Sequence, residues 1–188
     1  MAEALRWWFL ALFSVWIAGF IMRTIQFRGR RGAIEKKIGP VPTPIGLVMP
    51  PVGLLILLTR TGEMSAGWAI LRALGVALSL YALVIVQWAG RTLGRSFVPG
   101  VAIFRDHVLV TSGPYRLIRH PVYSGILALW LGAAFGTMNW LLLALSPLVL
   151  AWAFWASRSE EALLRAKLGA AYDAYAAKTT ARFIPNVW

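Results

Sequence analysis

Acidic side chains are scarce in this chain, and two of them stand side by side. Only 7 of its 188 residues are Asp or Glu, whereas 19 are Lys or Arg. A carboxylate can accept hydrogen bonds from a ligand or take part in proton transfer, which makes Glu160 and Glu161 candidates for a polar site. The alternative is a solvated ion pair between Glu161 and Arg165 on a helix, which contributes only about 0.2–0.5 kcal/mol.

A second group of polar side chains lies between residues 109 and 125. Gly113-Pro114 is a turn signal, and a residue that precedes proline, here His120, favours extended backbone. Pro121 suits the first turn of a helix. The sequence therefore predicts that several polar side chains are presented where a helix begins: Tyr115, Arg116, Arg119, His120 and Tyr123. For the arginines, contact with lipid headgroups is the alternative.

Thiol and metal chemistry have little support in the sequence. The absence of cysteine excludes a thiolate nucleophile and a Cys-ligated metal. The two histidines, His107 and His120, are thirteen residues apart and have few acidic neighbours in the sequence. They make a weak metal-binding pattern, and we predict no metal.

The chain that carries these polar groups is too apolar for an ordinary water-soluble domain. Hydrophobic residues make up 59% and charged residues 14% of the chain, against averages of roughly 45–50% and about 25%. Five apolar blocks approach the roughly 20 residues of a membrane-spanning helix. They are Leu5 to Met22, Val41 to Thr59, Ala73 to Ala89, Val122 to Gly136 and Trp140 to Ser157.

These blocks predict an all-α, polytopic membrane protein with about five transmembrane helices. We expect a single membrane domain over residues 1–188, with three spans in residues 1–89 and both polar groups in residues 90–188. The net charge of +12 would also suit a nucleic-acid ligand, but sixteen of the nineteen Lys and Arg lie in the first loop, the third loop and the tail. Alternating helices put these three segments on one side, and basic loops mark the cytoplasmic side. We therefore predict an N-terminus outside, a cytoplasmic C-terminus and no nucleic-acid partner.

The predicted topology brings the two polar groups together. About three residues separate the fourth and fifth apolar blocks, which predicts a tight helical hairpin with Gly132 and Gly136 at its contact. His120 precedes the first arm of this hairpin, and Glu160 and Glu161 follow the second. All three side chains should therefore be neighbours at its cytoplasmic end.

A cytoplasmic tail helix should follow the hairpin. The stretch from Glu160 to Ala177 is suited to helix, and Tyr172 and Tyr175 share one of its faces. We expect these tyrosines to dock the tail against the third loop or the membrane.

Four features of these residues resemble a known family of integral membrane enzymes. They are Leu109-Val-x-x-Gly-Pro-Tyr-Arg-x-x-Arg-His-Pro-x-Tyr123, the hairpin with its Glu-Glu pair, Gly169-x-x-Tyr172-x-x-Tyr175, and Arg182-x-Ile-Pro185. The combination is similar to the isoprenylcysteine carboxyl methyltransferases, whose relatives include phospholipid N-methyltransferases. The resemblance covers about the last hundred residues.

The resemblance implies S-adenosylmethionine as the methyl donor, bound on the cytoplasmic side by residues 90–188. Carried over position by position, the residues that would hold the donor are Leu109, Val110, Gly113, Tyr115, His120, Pro121, Tyr123, Glu160 and Glu161. The family commonly has an arginine one helical turn before the Glu pair, where this chain has Ala156. Arg119 and Arg158 are therefore the candidates for orienting the acceptor. The implied catalytic residues are Arg119, Arg158 and Glu161.

The function implied is methyl transfer to a lipophilic acceptor at the membrane. The first expectation is carboxyl methylation of an isoprenylcysteine-like or other lipid acid. The alternatives are a phospholipid N-methyltransferase, a non-catalytic membrane lipid-binding protein, and a quinone- or sterol-type reductase that would bind a nicotinamide. The Arg-rich, Lys-poor composition is typical of bacterial chains and indicates a bacterial inner membrane.

Overall fold

The structure, a computed structural model, describes residues 2–28, 34–37, 42–60, 69–94, 102–104 and 108–185. Within these residues the chain forms six α-helices, one 3-10 helix and two short strands. In chain order they are α1 (Ala2–Arg28), β1 (Ile34–Lys37), α2 (Pro42–Thr59), α3 (Ala69–Leu93), β2 (Ala102–Phe104), the 3-10 helix (Gly113–Arg116), α4 (Pro121–Gly136), α5 (Trp140–Leu168) and α6 (Ala170–Lys178).

The predicted apolar blocks correspond to α1 through α5. Among the described residues, α3 and α5 are long and apolar enough to cross a membrane by length and composition, and α4 is a shorter apolar helix. Large apolar side chains such as Ile70 and Val84 on α3 and Leu148 on α5 are exposed. A helix surface of this kind is suited to lipid rather than to water. These features indicate a membrane protein, whereas five crossings stay a prediction.

The all-α prediction missed a small antiparallel sheet. β1 from the first loop pairs with β2 from the third loop, with Ile34 opposite Phe104 and Lys37 opposite Ala102. Strands of three or four residues, one of them Ile-Glu-Lys-Lys, are too short to show a clear alternation in sequence. The pairing holds the first and third loops at the same end of the helix bundle.

Helices α3 and α4 approach each other through glycines. A Cβ atom added to Gly75 would meet the backbone nitrogen of Gly136 and would lie 2.6 Å from the carbonyl oxygen of Gly132. The Gly132–Gly136 spacing therefore serves contact with α3, and the prediction that it serves contact with α5 is wrong. Any small-residue face permits close approach, so the spacing alone could not identify the partner helix.

Two side chains of α3 add polar contacts along this interface. Arg72 is buried and donates from Nη1 to the carbonyl oxygen of Gly136 at 3.1 Å, where α4 ends. Nearer the start of α4, the Tyr81 hydroxyl and the Ser124 Oγ lie 2.8 Å apart. The position of α4 along α3 is thus fixed by hydrogen bonds near both ends of α4.

Residues 137–139 connect α4 to α5. The Asn139 side chain caps α5 by accepting a hydrogen bond from the backbone N–H of Leu142 at 3.0 Å. Across the same turn, Trp130 Nε1 donates to the carbonyl oxygen of Leu142 at 2.9 Å. Helix α5 continues past the predicted end at Ser157 to Leu168, so Glu160 and Glu161 lie within it.

The glycine contact gives a stability prediction. Gly75→Ala should lower the free energy of unfolding by about 1–3 kcal/mol, because the added methyl group meets backbone atoms that cannot rotate away. Gly19→Ala in α1 is the matched control, since nothing lies within 4 Å of a Cβ atom there. Thermal unfolding of both variants in detergent should show a lower midpoint for Gly75→Ala alone; equal midpoints would contradict the packing described.

Candidate active site

Glu161 is the centre of a buried charge cluster. Its side chain is 2% exposed. Oε1 accepts hydrogen bonds from Arg119 Nε at 3.0 Å, His120 Nε2 at 3.1 Å and Arg182 Nε at 3.2 Å. Oε2 accepts from Arg182 Nη2 at 3.1 Å, and Arg165 Nη1 lies 3.6 Å away. Buried carboxylates require such partners, because an unpaired buried charge is costly.

Three separate segments supply the cluster. Arg119 and His120 stand just before α4, Glu161 lies on α5, and Arg182 belongs to the segment after α6. Residues 179–183 are called the tail segment below. Its backbone pairs with the start of α4, since Arg119 N–H donates to the Ala181 carbonyl at 2.9 Å and His120 N–H donates to the Arg182 carbonyl at 3.0 Å.

Arg119 joins the cluster to the tail segment a second time. Its Nη1 donates to the backbone carbonyls of Thr179 at 2.7 Å and Thr180 at 2.6 Å, while its Nε bonds to Glu161. Phe183 is buried and packs edge-on against Phe154 of α5 at a ring separation of 5.4 Å. The tail segment is therefore part of the site.

Tyr175 docks α6 onto the loop before α4, which is one of the two places that the sequence predicts for Tyr172 and Tyr175. The Tyr175 hydroxyl donates to the backbone carbonyl of Tyr115 at 2.7 Å, and Tyr172 packs beside it with 1% exposure. Burial raises the pKa of the Tyr115 and Tyr175 hydroxyls well above the usual range. Both hydroxyls stay protonated at neutral pH, so the hydrogen bond from Tyr175 is maintained.

His120 is held between the two glutamates. A carboxylate can only accept, so the contact with Glu161 requires the proton on Nε2. In the neutral ring Nδ1 is then an acceptor, and it lies 3.9 Å from Glu160 Oε2. The rings of Tyr123 and Phe183 pack on the imidazole at 5.6 and 6.1 Å.

The adjacent glutamates therefore have different surroundings. The Glu160 side chain is 38% exposed, and the Tyr123 hydroxyl lies next to its carboxylate. Glu160 and His120 Nδ1 together present two acceptors to one space, where a ligand with N–H or O–H donors would be bound. Glu161 has no such opening, because cationic donors surround both of its oxygens.

The helix start at Pro121 is as predicted, whereas His120, with φ −127° and ψ 64°, is outside the helical region without being fully extended. Pro121 is the first residue of α4 and is buried, with His120 at the N-cap. Gly113 has φ +59°, and a Cβ atom there would lie 2.6 Å from Thr92 Oγ1, so only glycine fits against α3. Leu109 and Val110 are half-buried in the preceding segment.

The two candidate arginines lie in different places. Arg119 is in the cluster, whereas Arg158 is exposed on α5. Arg158 is three residues before Glu161 on the same helix, but none of the contacts of the described residues joins it to Glu160 or Glu161. The structure thus brings Arg119, but not Arg158, to the other predicted polar groups.

Sequence reasoning did not select Arg182. The closing Arg182-x-Ile-Pro185 pattern was the available signal, but nothing in it showed that the arginine returns to Glu161. His107 lies outside the described residues. In the part of the chain that is described, no three His, Cys, Asp or Glu side chains are grouped as metal ligands would be.

Comparison with known proteins gives a consistent set of relatives. The sequence model of the phospholipid methyltransferase family matches residues 70–171. A probable protein-S-isoprenylcysteine O-methyltransferase of Oryza sativa subsp. indica is 32% identical over 184 residues, covering 94% of this chain and 94% of that protein. The enzyme of this name from Schizosaccharomyces pombe is 40% identical over 89 residues, covering 45% of this chain and 37% of that protein. The similarity thus extends beyond the last hundred residues, into the N-terminal helices.

The cluster predicts that the two glutamates differ in their effect on stability. Glu161→Gln should lower the free energy of unfolding by about 3 kcal/mol, because it leaves the largely buried guanidinium groups of Arg119 and Arg182 without their counter-charge. Glu160→Gln is the matched control and should change it by less than about 1 kcal/mol, because this side chain is partly exposed. Thermal unfolding of both variants measures the difference, and equal losses would contradict the distinct environments.

Proposed function

This chain belongs to the isoprenylcysteine O-methyltransferase family, and we propose that it transfers the methyl group of S-adenosylmethionine to the carboxylate of an isoprenylcysteine-like or other lipid acid. It is thus a methyltransferase, and a non-catalytic lipid-binding role is set aside. The donor, the acceptor and the residue roles are the proposal. The observation that supports them most directly is the pair of acceptors, Glu160 and His120 Nδ1, next to the fully occupied Glu161.

The residues around Glu160 fit the donor. S-adenosylmethionine carries an ammonium group, hydroxyl groups and a cationic sulfonium. The Glu160 carboxylate and His120 Nδ1 can accept hydrogen bonds from an ammonium or a hydroxyl, and the Tyr123 ring offers an aromatic face to a cation. Leu109, Val110, Gly113, Tyr115 and Pro121 would form the wall of the same pocket.

The two glutamates receive separate roles in this proposal. Glu160 contacts the donor, whereas Glu161 holds His120 and the arginines without touching the donor. The sequence resemblance implies that both glutamates bind the donor, and the proposal now assigns donor binding to Glu160 alone. It is supported by the donors that already surround both Glu161 oxygens.

The reaction requires little acid–base catalysis from the protein. The bound donor supplies an already activated methyl group on sulfur. A carboxylate acceptor is deprotonated at neutral pH and needs no general base, so the chain contributes orientation and exclusion of water. Glu160, His120 and Tyr123 orient the donor, and the tail segment covers the site. Arg119 is the cation we assign to the acceptor carboxylate, and Arg158 is assigned to lipid headgroups.

An apolar groove offers a place for the acceptor chain. It has a volume of about 130 Å³ and lies between α1, α3 and α4. Val122, whose neighbours in sequence are Pro121 and Tyr123, lines it together with Leu12, Val15, Trp16, Gly19, Ala82, Leu83, Val86, Gln87, Gly125 and Leu129. An acceptor whose apolar tail lies here would have its polar end near the start of α4.

The proposed topology has five crossings, with the first loop, the third loop and the tail in the cytoplasm. It is supported by the β1–β2 pairing and by the tail segment's bonds to residues 119 and 120, which bring these three segments to one end. A bacterial inner membrane stays a prediction.

The function is tested with purified protein and isotopically labelled methyl donor. We expect label to enter a farnesylcysteine analogue and not phosphatidylethanolamine, with Glu160→Gln lowering donor affinity by about 100-fold because an aligned contact is lost. Glu161→Gln that still folds should reduce affinity less. Transfer to phosphatidylethanolamine alone would instead support phospholipid N-methylation, and no donor binding by the wild type would overturn the proposal.

The groove gives a second test. Val122→Trp should reduce kcat/KM about tenfold or more for a farnesyl acceptor while affecting a short-chain thioether acid much less, since an overfilled pocket excludes bulk. Leu148→Trp is the control, because Leu148 is exposed on α5. Equal losses with both acceptors would place the apolar chain elsewhere.

A further inference from the structure

We propose that Arg182 is a positioning residue for methyl transfer, which acts through Glu161 to fix the orientation of His120. The inference rests on the proposed function, because it concerns the same site. Arg182 touches neither the Glu160 carboxylate nor His120 Nδ1 in the described contacts. Its influence passes through the carboxylate of Glu161.

Arg182 holds Glu161 in a way that its neighbours do not. It donates to both carboxylate oxygens, from Nε at 3.2 Å and from Nη2 at 3.1 Å. Arg119 donates to one oxygen and uses Nη1 for backbone carbonyls, and Arg165 is 3.6 Å away with a side chain that is 48% exposed. A two-point contact fixes the plane of a carboxylate, whereas a single contact leaves it free to rotate.

The orientation of the Glu161 carboxylate determines which nitrogen of His120 carries the ring proton. Oε1 accepts from His120 Nε2 at 3.1 Å, which keeps a ring proton on Nε2; in the neutral ring Nδ1, on the side of Glu160, is then free to accept a hydrogen bond from the donor substrate. If the carboxylate rotates, Glu160 becomes a competing acceptor for a proton on Nδ1. The ring would then offer the donor an N–H in place of a lone pair.

The tail segment does not depend on this side chain for its attachment. Backbone bonds from Arg119 and His120 to Ala181 and Arg182 remain when the guanidinium is removed, and Phe183 stays buried against α5. Replacement of the Arg182 side chain therefore tests positioning rather than docking.

The number of contacts that a side chain at position 182 can make to Glu161 distinguishes arginine from lysine there. The titratable and charged groups around the carboxylate are Arg119, His120, Arg165, Arg182 and, from α6, Tyr172 and Tyr175, with Glu160 adjacent in the chain. Lysine would keep the net charge but offers a single point of contact. Arg182→Lys should therefore restore charge without restoring the fixed plane.

The first experiment compares Arg182→Gln, Arg182→Lys and Lys178→Gln with the wild type in donor calorimetry and in the methyl-transfer assay. Arg182→Gln should weaken donor binding and lower kcat/KM by about tenfold, which is less than the loss expected for Glu160→Gln, and Arg182→Lys should recover only part of this, to about threefold below wild type. Lys178 is exposed at the end of α6, so Lys178→Gln removes the same charge without these effects.

The second experiment measures the tautomer of the His120 imidazole directly. The chain has only two histidines, so His107→Gln protein labelled with ¹⁵N-histidine reports His120 alone. With arginine at 182 the shifts should show a proton on Nε2 and none on Nδ1. With glutamine at 182 both tautomers should be populated, and on a Glu161→Gln background the change at 182 should have no further effect.

The inference fails if Arg182→Gln binds donor within about twofold of wild type and leaves the His120 tautomer unchanged. It also fails if Arg182→Lys is indistinguishable from wild type in both measurements, since charge alone would then suffice. If Arg182→Gln does not fold, Arg182→Lys decides the question. Failure of the wild type to bind donor would instead overturn the proposed function.

Discussion

The site depends on one buried carboxylate that draws together three parts of the chain. Glu161, on α5, is bonded by side chains from the start of α4 and from the tail segment. Burial of an ion is costly unless other groups compensate its charge, so the fold that buries Glu161 must also deliver these cations. The convergence of these three segments is the structural consequence of that requirement.

The rest of the scaffold serves to place α4. Glycine contacts and the Arg72 hydrogen bond fix its far end against α3, and the Tyr81–Ser124 contact fixes it near the site. The loop before α4 is fixed independently, because Gly113 packs tightly on Thr92 of α3. His120 is therefore positioned by α3 as much as by the cluster itself, and a small shift of α4 would move its imidazole relative to Glu161.

Local signals predicted the parts of this arrangement that depend on neighbours in sequence. Pro121 begins α4 because its missing N–H costs nothing there, and a residue before proline disfavours helical backbone, which leaves His120 at the N-cap. The proximity of His120 to the glutamates followed from the short connection between two apolar blocks. What sequence did not predict depends on tertiary contact. Neighbouring residues on a helix differ by about 100° in direction, so the pattern Glu-Glu does not reveal which one is buried.

The dependence on tertiary contact also explains why the sequence did not identify Arg182 as a site residue. Its partner lies twenty-one residues earlier on another element, and only the folding back of the tail segment brings them together. The glycine pair on α4 was given the wrong partner helix for the equivalent reason: a small-residue face fits any helix that approaches it. The short strands, too, are stabilised by each other and not by their own sequences.

The separation of the glutamates has an electrostatic meaning for a methyltransferase. The cations Arg119, Arg165 and Arg182 are gathered around Glu161, whereas His120 Nδ1 and the Tyr123 hydroxyl lie beside Glu160. If the donor binds at Glu160 as proposed, its positive charge is compensated there, while the cationic side of the cluster remains to attract an anionic acceptor. Two substrates of opposite charge would then be drawn to opposite sides of His120, which is the arrangement that an in-line transfer between them requires.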